Sequence, residues 1–167
     1  MSARLAIVGV GSNVDPQRHV PHALAALLSE HGALHLSSVV ETEPVGMTDG
    51  SGTFWNLALA LPTAAAAEGL QSRLHEAERA AGRDRHAPGQ SWKARPLDLD
   101  LLFFVEGGAF PEDQLPTEPW IRPLVEELLH HLGLTPKPST PVAGAIPLHV
   151  SGRTVPAGPA TLSTETP

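Results

Sequence analysis

The sequence predicts an α+β fold in which helices back an antiparallel sheet. Short apolar runs rich in β-branched residues alternate with two segments of helical periodicity, in the order βαββαβ. Turn-forming Gly, Pro, Asn and Asp residues lie between these segments. The chain has 167 residues, of which 41% are hydrophobic, and this is enough to build one core. The order of elements is that of the ferredoxin-like arrangement.

The first strand and the first helix have clear boundaries. Residues 4–10 are apolar and β-branched, and Gly-Ser-Asn at 11–13 ends this strand as a turn. Asp15 followed by proline is the pattern of a helix N-terminus, and leucine and valine then recur at helical spacing. We expect this helix to run from about Pro16 to about His31.

The rest of the βαββαβ order follows along the chain. Strands are predicted from β-branched and aromatic residues, and the helix from a run of alanines with leucines on one face. These elements are two strands at 34–44 and 53–62 with a turn-rich connection at 46–52, a helix from Ala64 to Ala81 with Gly82 as its C-cap, a polar loop at 83–94 and a strand at 95–104.

The C-terminal part of the sequence has weaker periodicity. A third helix is expected from Trp120 to Leu132. From Gly133 onward Pro, Gly, Ser and Thr prevail, which predicts a loosely packed extension with one short strand near 146–150. We therefore divide the chain into a single domain at 1–132 and a Pro- and Gly-rich extension at 133–167.

Composition excludes several classes of protein. With 11 Lys and Arg against 18 Asp and Glu, the formal charge of −7 argues against capture of nucleic acid by bulk electrostatics. The absence of cysteine excludes disulfides and thiolate metal sites. No apolar run approaches the roughly 20 residues that a membrane span requires, and the N-terminus lacks the pattern of a signal peptide. We expect a cytoplasmic protein that needs no membrane, as a monomer or a weak homodimer.

Two aspartates stand inside the apolar segment 95–104. Asp98 and Asp100 share one face of this strand because side chains alternate, and their Cα atoms would lie roughly 6.6 Å apart at about 3.3 Å per residue. Carboxylates at this separation can converge on Mg²⁺, which typically takes one or two carboxylates together with waters and substrate phosphates. The alternative is a solvated face of the sheet, on which two acids cost little.

Four cations precede the aspartates: Arg83, Arg85, Lys93 and Arg95. Cations beside a two-carboxylate site suit a polyanion that is held by metal on one side and by guanidinium groups on the other. A phosphorylated nucleotide is the obvious candidate. The alternative is a solvated basic hinge whose charges balance those of the aspartates.

A second binding feature is predicted on the strand at 53–62. Phe54 and Asn56 face the same way and offer an aromatic plate beside an amide. The amide can pair with the edge of a heterocycle, and the aromatic face can stack on its ring. The alternative is that Phe54 or Trp55 belongs to the core.

With these features together, the sequence resembles the 6-hydroxymethyl-7,8-dihydropterin pyrophosphokinases of folate synthesis, with a shortened C-terminal region. The resemblance covers about the first 105 residues, and its signature is R-x-x-D-x-D together with an upstream F-x-N. The family's fold is also ferredoxin-like. The matching motifs are Gly-Ser-Asn at 11–13, T-E-P-V-G at 42–46, F-W-N at 54–56, G-R-D-R at 82–85 and R-P-L-D-L-D at 95–100.

The resemblance implies transfer of pyrophosphate from ATP to the hydroxymethyl group of the pterin, leaving AMP. It implies that Asp98 and Asp100 hold two Mg²⁺ ions, and that Arg83 and Arg95 contact the phosphates and stabilise charge during transfer. The residues that it assigns to ATP are Glu78, Arg83, Arg85, Trp92, Lys93 and Arg95. Those that it assigns to the pterin are Thr42, Pro44, Val45, Phe54 and Asn56.

The sequence departs from the family's pattern after the aspartates. The family continues with a Pro-His segment and an arginine, which help to bind nucleotide and metal, and neither has a counterpart in residues 105–120. The family's second aromatic pterin plate has Trp120 as its one nearby candidate. Two alternatives to the pyrophosphokinase therefore stay open. One is an enzyme of the same chemistry with a different acceptor. The other is a member that binds pterin or nucleotide without catalysis, or a ferredoxin-like interaction module.

Overall fold

The structure is a computed structural model that describes residues 4–42, 53–82, 95–138 and 140–165. It confirms the α+β class, with an antiparallel sheet and three α helices in the described residues. The helices are α1 (Pro16–His31), α2 (Ala67–Ala80) and α3 (Arg122–His131), with a short 3-10 helix at Glu112–Gln114. The strands are β1 (Arg4–Ser12), β2 (Ala33–Leu36), β3 (Val39–Thr42), β4 (Phe54–Thr63), β5 (Asp98–Val105), β6 (Ala145–Ile146), β7 (Leu148–Val150), β8 (Arg153–Val155) and β9 (Ala160–Ser163).

The order of strands is the one that the ferredoxin-like arrangement requires. β1 lies between β4 and β5, and β2 lies on the far side of β4, with every pair antiparallel. The strand predicted at 34–44 is divided into β2 and β3, which both pair with β4 but at successive positions. Ser37 and Ser38 form the interruption, and it is these two residues that break the expected alternation.

The sheet is covered on both faces. Along β1, Ala6, Val8 and Val10 face a first core that α1 and α2 cover, whereas Ile7 faces a second core beneath α3. Because neighbouring side chains point to opposite faces, a strand buried on both sides reads as a continuous apolar run. This is why residues 4–10 lack polar alternation.

The ends of the helices differ slightly from their predicted positions. α1 has the expected bounds, but Asp15 has a left-handed backbone and makes no side-chain capping bond; its carbonyl oxygen accepts from the amides of Arg18 and His19. α2 begins three residues after Ala64, and α3 begins two residues after Trp120. Boundaries inferred from periodicity commonly shift by this much.

The C-terminal segment packs more closely than its composition predicts. It contains four short strands, whereas one near 146–150 was expected. β9 extends the sheet beside β2, β6 pairs with β3, and the β7–β8 hairpin lies over α1. Four of its side chains are buried in the first core: Leu148, Val150, Val155 and Leu162. Strands of two to four residues are too short for alternation to be recognised in the sequence.

No helix in the described part of the chain is long and apolar enough to cross a membrane.

Candidate active site

A cavity of about 470 Å³ opens where β1, β3, β4 and β5 approach the start of α3. Seven residues predicted or considered for the site line it: Thr42, Phe54, Asn56, Arg95, Asp98, Asp100 and Trp120. Seven others complete the lining: Gly9, Val10, Gly11, Leu102, Pro116, Glu118 and Ile121. The aspartates and the aromatic plate therefore belong to one cavity and not to separate surfaces.

The two aspartates share the face of β5 that turns toward this cavity. Asp98 lies opposite Gly11 of β1 and Asp100 lies opposite Gly9, whereas Leu99 between them is buried on the other face. The side chain of Asp98 is 16% exposed, and Asp100 is open to solvent. The strand thus presents both carboxylates to the same space without burying either completely.

A bulge in β5 adds an apolar side chain to the same wall. The register between β1 and β5 shifts between Ile7 and Val8, so that Val8 lies opposite Leu101 and Ile7 lies opposite Phe103. Leu102 is the extra residue, and it lines the cavity beside the aspartates. Leu102 keeps the face of Asp98 and Asp100, but the bulge places the next side chain, Phe103, in the second core as well, which strict alternation from the sequence does not predict.

Two glycines of β1 make room between the aspartates and the aromatic plate. A Cβ atom on Gly11 would lie 3.3 Å from Asn56 Oδ1 and 3.4 Å from Phe54 Cε1. One on Gly9 would lie 3.7 Å from the side chains of Ile121 and Leu102. The pattern G-V-G in a buried strand was the available sequence signal for this space, because glycine in a strand often marks a close approach.

Arg95 is held by its backbone and reaches Asp98 with its side chain. Its Nη1 lies 3.3 Å from Asp98 Oδ2. The backbone amide of Asn13 donates to the carbonyl oxygen of Arg95 at 3.0 Å, and the backbone amide of Arg95 donates to the side-chain oxygen Oδ1 of Asn13. Ser12 Oγ donates to the carbonyl oxygen of Pro96 at 2.7 Å. The turn after β1 therefore fixes the start of the acidic strand, a role that the sequence did not reveal.

The opposite wall of the cavity comes from β3 and β4. Thr42 pairs with Phe54, and two positions along the strands Val40 pairs with Asn56, which is only 8% exposed. Trp55 points to the other face of the sheet, where its Nε1 donates to Glu41 Oε2 at 3.1 Å. Phe54 and Asn56 therefore lie on one face of β4 and Trp55 lies on the other, as the alternation of side chains along a strand predicts.

A second aromatic side chain stands at the mouth of the cavity. Trp120, just before α3, is 58% exposed and is the one large hydrophobic side chain with high exposure in the described residues. Pro116 and Glu118 of the preceding segment line the same mouth. The short segment that departs from the family pattern thus still supplies an aromatic wall.

Glu78, which is predicted to bind ATP, does not lie at the cavity. It is 1% exposed in α2, on the other face of the sheet, and its Oε1 accepts from the amide of Leu99 at 3.4 Å. It is not among the residues that line the cavity. Its contact supports β5 from behind, so the assignment to ATP stays a prediction.

The remaining predicted site residues, Pro44, Val45, Arg83, Arg85, Trp92 and Lys93, lie outside the described residues. Within the described ranges there is no group of three or more His, Cys, Asp or Glu side chains that could hold a metal ion. The assignment of a cation to Asp98 and Asp100 of β5 stays a prediction.

Comparison with known proteins agrees with this geometry. The sequence model of the 7,8-dihydro-6-hydroxymethylpterin-pyrophosphokinase family matches residues 7–130. A 2-amino-4-hydroxy-6-hydroxymethyldihydropteridine pyrophosphokinase of Bacillus subtilis is 32% identical over 103 residues, which are 60% of this chain and 59% of that protein. The bifunctional protein FolKE of Lactococcus lactis is 30% identical over 100 residues, 58% of this chain and 28% of that protein.

The match thus spans less than two thirds of either relative, but the family's sequence model extends over most of the present chain and includes every described residue that lines the cavity. The chain belongs to the 7,8-dihydro-6-hydroxymethylpterin-pyrophosphokinase family.

Proposed function

We propose that this chain transfers pyrophosphate from ATP to the hydroxymethyl oxygen of 6-hydroxymethyl-7,8-dihydropterin, leaving AMP. The observation that carries the proposal is the convergence of Arg95, Asp98 and Asp100 with Phe54 and Asn56 on one cavity. A phosphate-binding half and a heterocycle-binding half then lie side by side, as transfer between two bound substrates requires.

The residues at the aspartate pair fit Mg²⁺. Asp98 and Asp100 provide two carboxylates on one face, and the glycines opposite them leave space that a Cβ would fill. Mg²⁺ typically takes few protein ligands and completes its shell with water and phosphate oxygens. When bound, it would neutralise negative charge on the triphosphate.

Arg95 is suited to stabilise charge on the phosphates during transfer. Its guanidinium group lies at the aspartate pair, and its backbone is held from both sides by Asn13. A cation that is already in place costs little reorganisation when charge develops. On the family's pattern we assign phosphate contacts to Arg83, with Arg85 as a further cation, and contacts with ATP to Trp92 and Lys93. Glu78, which the family's pattern also assigns to ATP, lies on the other face of the sheet and supports β5.

The pterin would occupy the half of the cavity between β4 and α3. Phe54 would stack on its ring, Asn56 would form hydrogen bonds with its edge, and Trp120 would cover the other side. Thr42, with Pro44 and Val45, would line the pocket. Closure around both substrates would exclude water, which otherwise competes as the attacking group.

Formation of AMP tests the proposal. Purified protein is incubated with ATP, Mg²⁺ and the pterin, and AMP and the pterin diphosphate are measured, with omission of the pterin as the control. Asp98→Asn and Asp100→Asn should each abolish product while the fold is retained. Product formation in both variants at the wild-type rate would contradict the two-carboxylate site.

A second candidate, transfer to a different acceptor, is favoured by one observation. Pro116, Glu118 and Trp120 form the mouth of the cavity in place of the family's longer segment, so the acceptor meets a carboxylate there. AMP formed with another hydroxymethyl heterocycle but not with the pterin would support this candidate. Binding of ATP and pterin without AMP would indicate a member that binds without catalysis.

A further inference from the structure

The interruption between β2 and β3 is held by side-chain hydrogen bonds. Ser37 and Ser38 are 1% and 2% exposed. The amide of Ser37 donates to the carbonyl oxygen of Ala58 at 2.8 Å, and Ser37 Oγ accepts from the amide of Ala58 at 2.8 Å. Ser37 Oγ in turn donates to the carbonyl oxygen of Ser38 at 2.9 Å. These bonds satisfy the backbone amide and the carbonyl oxygen of Ala58 on β4. The backbone amide and the hydroxyl of Ser38 find their acceptor outside the sheet.

Glu127 of α3 accepts both donors of Ser38. The amide of Ser38 donates to Glu127 Oε1, and Ser38 Oγ donates to Glu127 Oε2 at 3.0 Å. An ionised carboxylate has only acceptors, and its hydrogen bonds with amides and hydroxyls are stronger than those between neutral groups. Ser38 and Glu127 therefore form a two-point connection between α3 and the sheet.

This connection joins the two elements that carry the facing walls of the cavity, β3 and α3. Ser38 directly precedes β3, whose last residue Thr42 lines the cavity and pairs with Phe54. Glu127 follows Ile121 by six residues, roughly 9 Å along a helix at 1.5 Å per residue, and Ile121 and Trp120 form the facing wall. The apolar contacts beneath α3 are not directional, so they do not by themselves fix how the helix slides or rotates over the sheet.

We propose that Glu127 is a positioning residue that sets the spacing between Trp120 and Phe54, and thereby the affinity for a flat acceptor. This inference rests on the proposed function for the identity of the acceptor. Glu127 touches neither substrate, and it acts through Ser38 and α3. At the other end of the helix, His131 Nε2 lies 2.9 Å from Thr161 Oγ1, so loss of the Glu127 contact would loosen the end near the cavity and not the whole helix.

Two substitutions of Glu127 and a control on the same helix test this role. Glu127→Ala removes both acceptors, whereas Glu127→Gln keeps one oxygen for the Ser38 amide and offers its NH₂ to the hydroxyl, which can rotate to accept. The control is Glu126→Gln, which alters an exposed ion pair with Arg122 (2.7 Å) one position away. If Glu127→Ala proves unstable, Glu127→Gln and Ser38→Ala carry the test.

Binding and local structure are measured separately. The dissociation constant of the pterin is determined by calorimetry, the KM for ATP is determined by AMP formation, and Trp120 is followed by fluorine NMR of protein labelled with fluorotryptophan. Glu127→Ala removes both hydrogen bonds to Ser38, and the displaced Trp120 wall should weaken pterin binding about tenfold, the effect of roughly 1.4 kcal/mol. The KM for ATP should change by less than about twofold, and the Trp120 resonance should shift.

The two glutamine variants are expected to differ from Glu127→Ala. Glu127→Gln should recover most of the affinity, and Glu126→Gln should match wild type in every measurement. A lower melting temperature with unchanged pterin affinity and an unchanged Trp120 resonance would overturn the inference, as would equal losses for ATP and pterin. If the wild type itself does not bind the pterin, the proposed function fails, and the Trp120 resonance still decides whether Glu127 positions the wall.

Discussion

At the scale of single residues, Gly11 is the most constrained position of the site. Because a Cβ there would meet Asn56 Oδ1 at 3.3 Å and Phe54 at 3.4 Å, Gly11→Ala should push the aromatic plate and the amide away from β1. We expect pterin binding to weaken by about tenfold, the effect of roughly 1.4 kcal/mol, with ATP binding less affected. Calorimetric titration with each ligand measures both.

Gly69 of α2 offers the matched control for this substitution. A Cβ at Gly69 would meet nothing within 4 Å. Gly69→Ala should therefore stabilise the protein by about 0.5–1 kcal/mol through helix propensity and leave both ligands unaffected. Equal ligand affinities in the two alanine variants would show that crowding at Gly11 has no functional effect.

Substitutions at Phe54 and Trp55 test the two faces of β4 separately. Phe54→Ala should weaken binding of the pterin severalfold, since stacking on one ring is worth roughly 0.5–1.5 kcal/mol beyond the buried area, and ATP binding should change much less. Trp55→Phe, on the opposite face, should leave pterin affinity at the wild-type value. A loss of similar size for ATP and pterin in Phe54→Ala would mean that this ring acts as core and not as plate.

At the scale of elements, the turn after β1 and the start of β5 act as one unit. Asn13→Ala removes the acceptor for the Arg95 amide, a partly buried backbone donor, and should cost about 1 kcal/mol of stability. Because Arg95 then moves relative to Asp98, kcat should fall more than the affinity for pterin. Thermal melts and steady-state kinetics measure the two effects. A variant with lowered stability but an unchanged kcat would separate the turn from catalysis.

Elements were predictable from the sequence where their signal is local. The βαββαβ order and the shared face of Asp98 and Asp100 follow from periods of 3.6 and 2 residues, which are set by backbone geometry. At the break between β2 and β3, Ser38 forms hydrogen bonds with Glu127, about ninety positions away in sequence, and no local pattern encodes such a partner. The bulge at Leu102 likewise reflects pairing with β1 and not the composition of β5.

At the scale of the whole molecule, the C-terminal segment completes the sheet. Its prolines and glycines predict loose packing, but Leu162 of β9 is 7% exposed and belongs to the first core. Leu162→Ala should therefore destabilise the protein by about 2–5 kcal/mol, as large-to-small core substitutions do. Urea unfolding measures this, and a change below about 0.5 kcal/mol, the range typical of surface positions, would restore the expectation of a loose extension.

Thr161 of the same strand, β9, contacts two histidines that belong to other elements. Thr161 Oγ1 lies 3.0 Å from His35 Nδ1 on β2 and 2.9 Å from His131 Nε2 on α3, so one hydroxyl connects two strands and a helix. Burial, and secondarily the neighbouring charge of His131, lowers the pKa of His35 from its ordinary value of 6.5. Protonation of His35 is thus disfavoured in the folded protein relative to the unfolded chain.

The sign of the pH dependence follows from this lowered pKa. Above 6.5 His35 is neutral in both states and contributes nothing; as the pH falls below 6.5, the unfolded chain binds a proton first, and stability is lost until the folded pKa is reached. His35→Asn removes this titration, and its amide can still approach Thr161. The drop in melting temperature between about pH 7.5 and about pH 5 should therefore be smaller in this variant than in wild type. An equal drop in both proteins would show that His35 does not contribute to the pH dependence of the melting temperature.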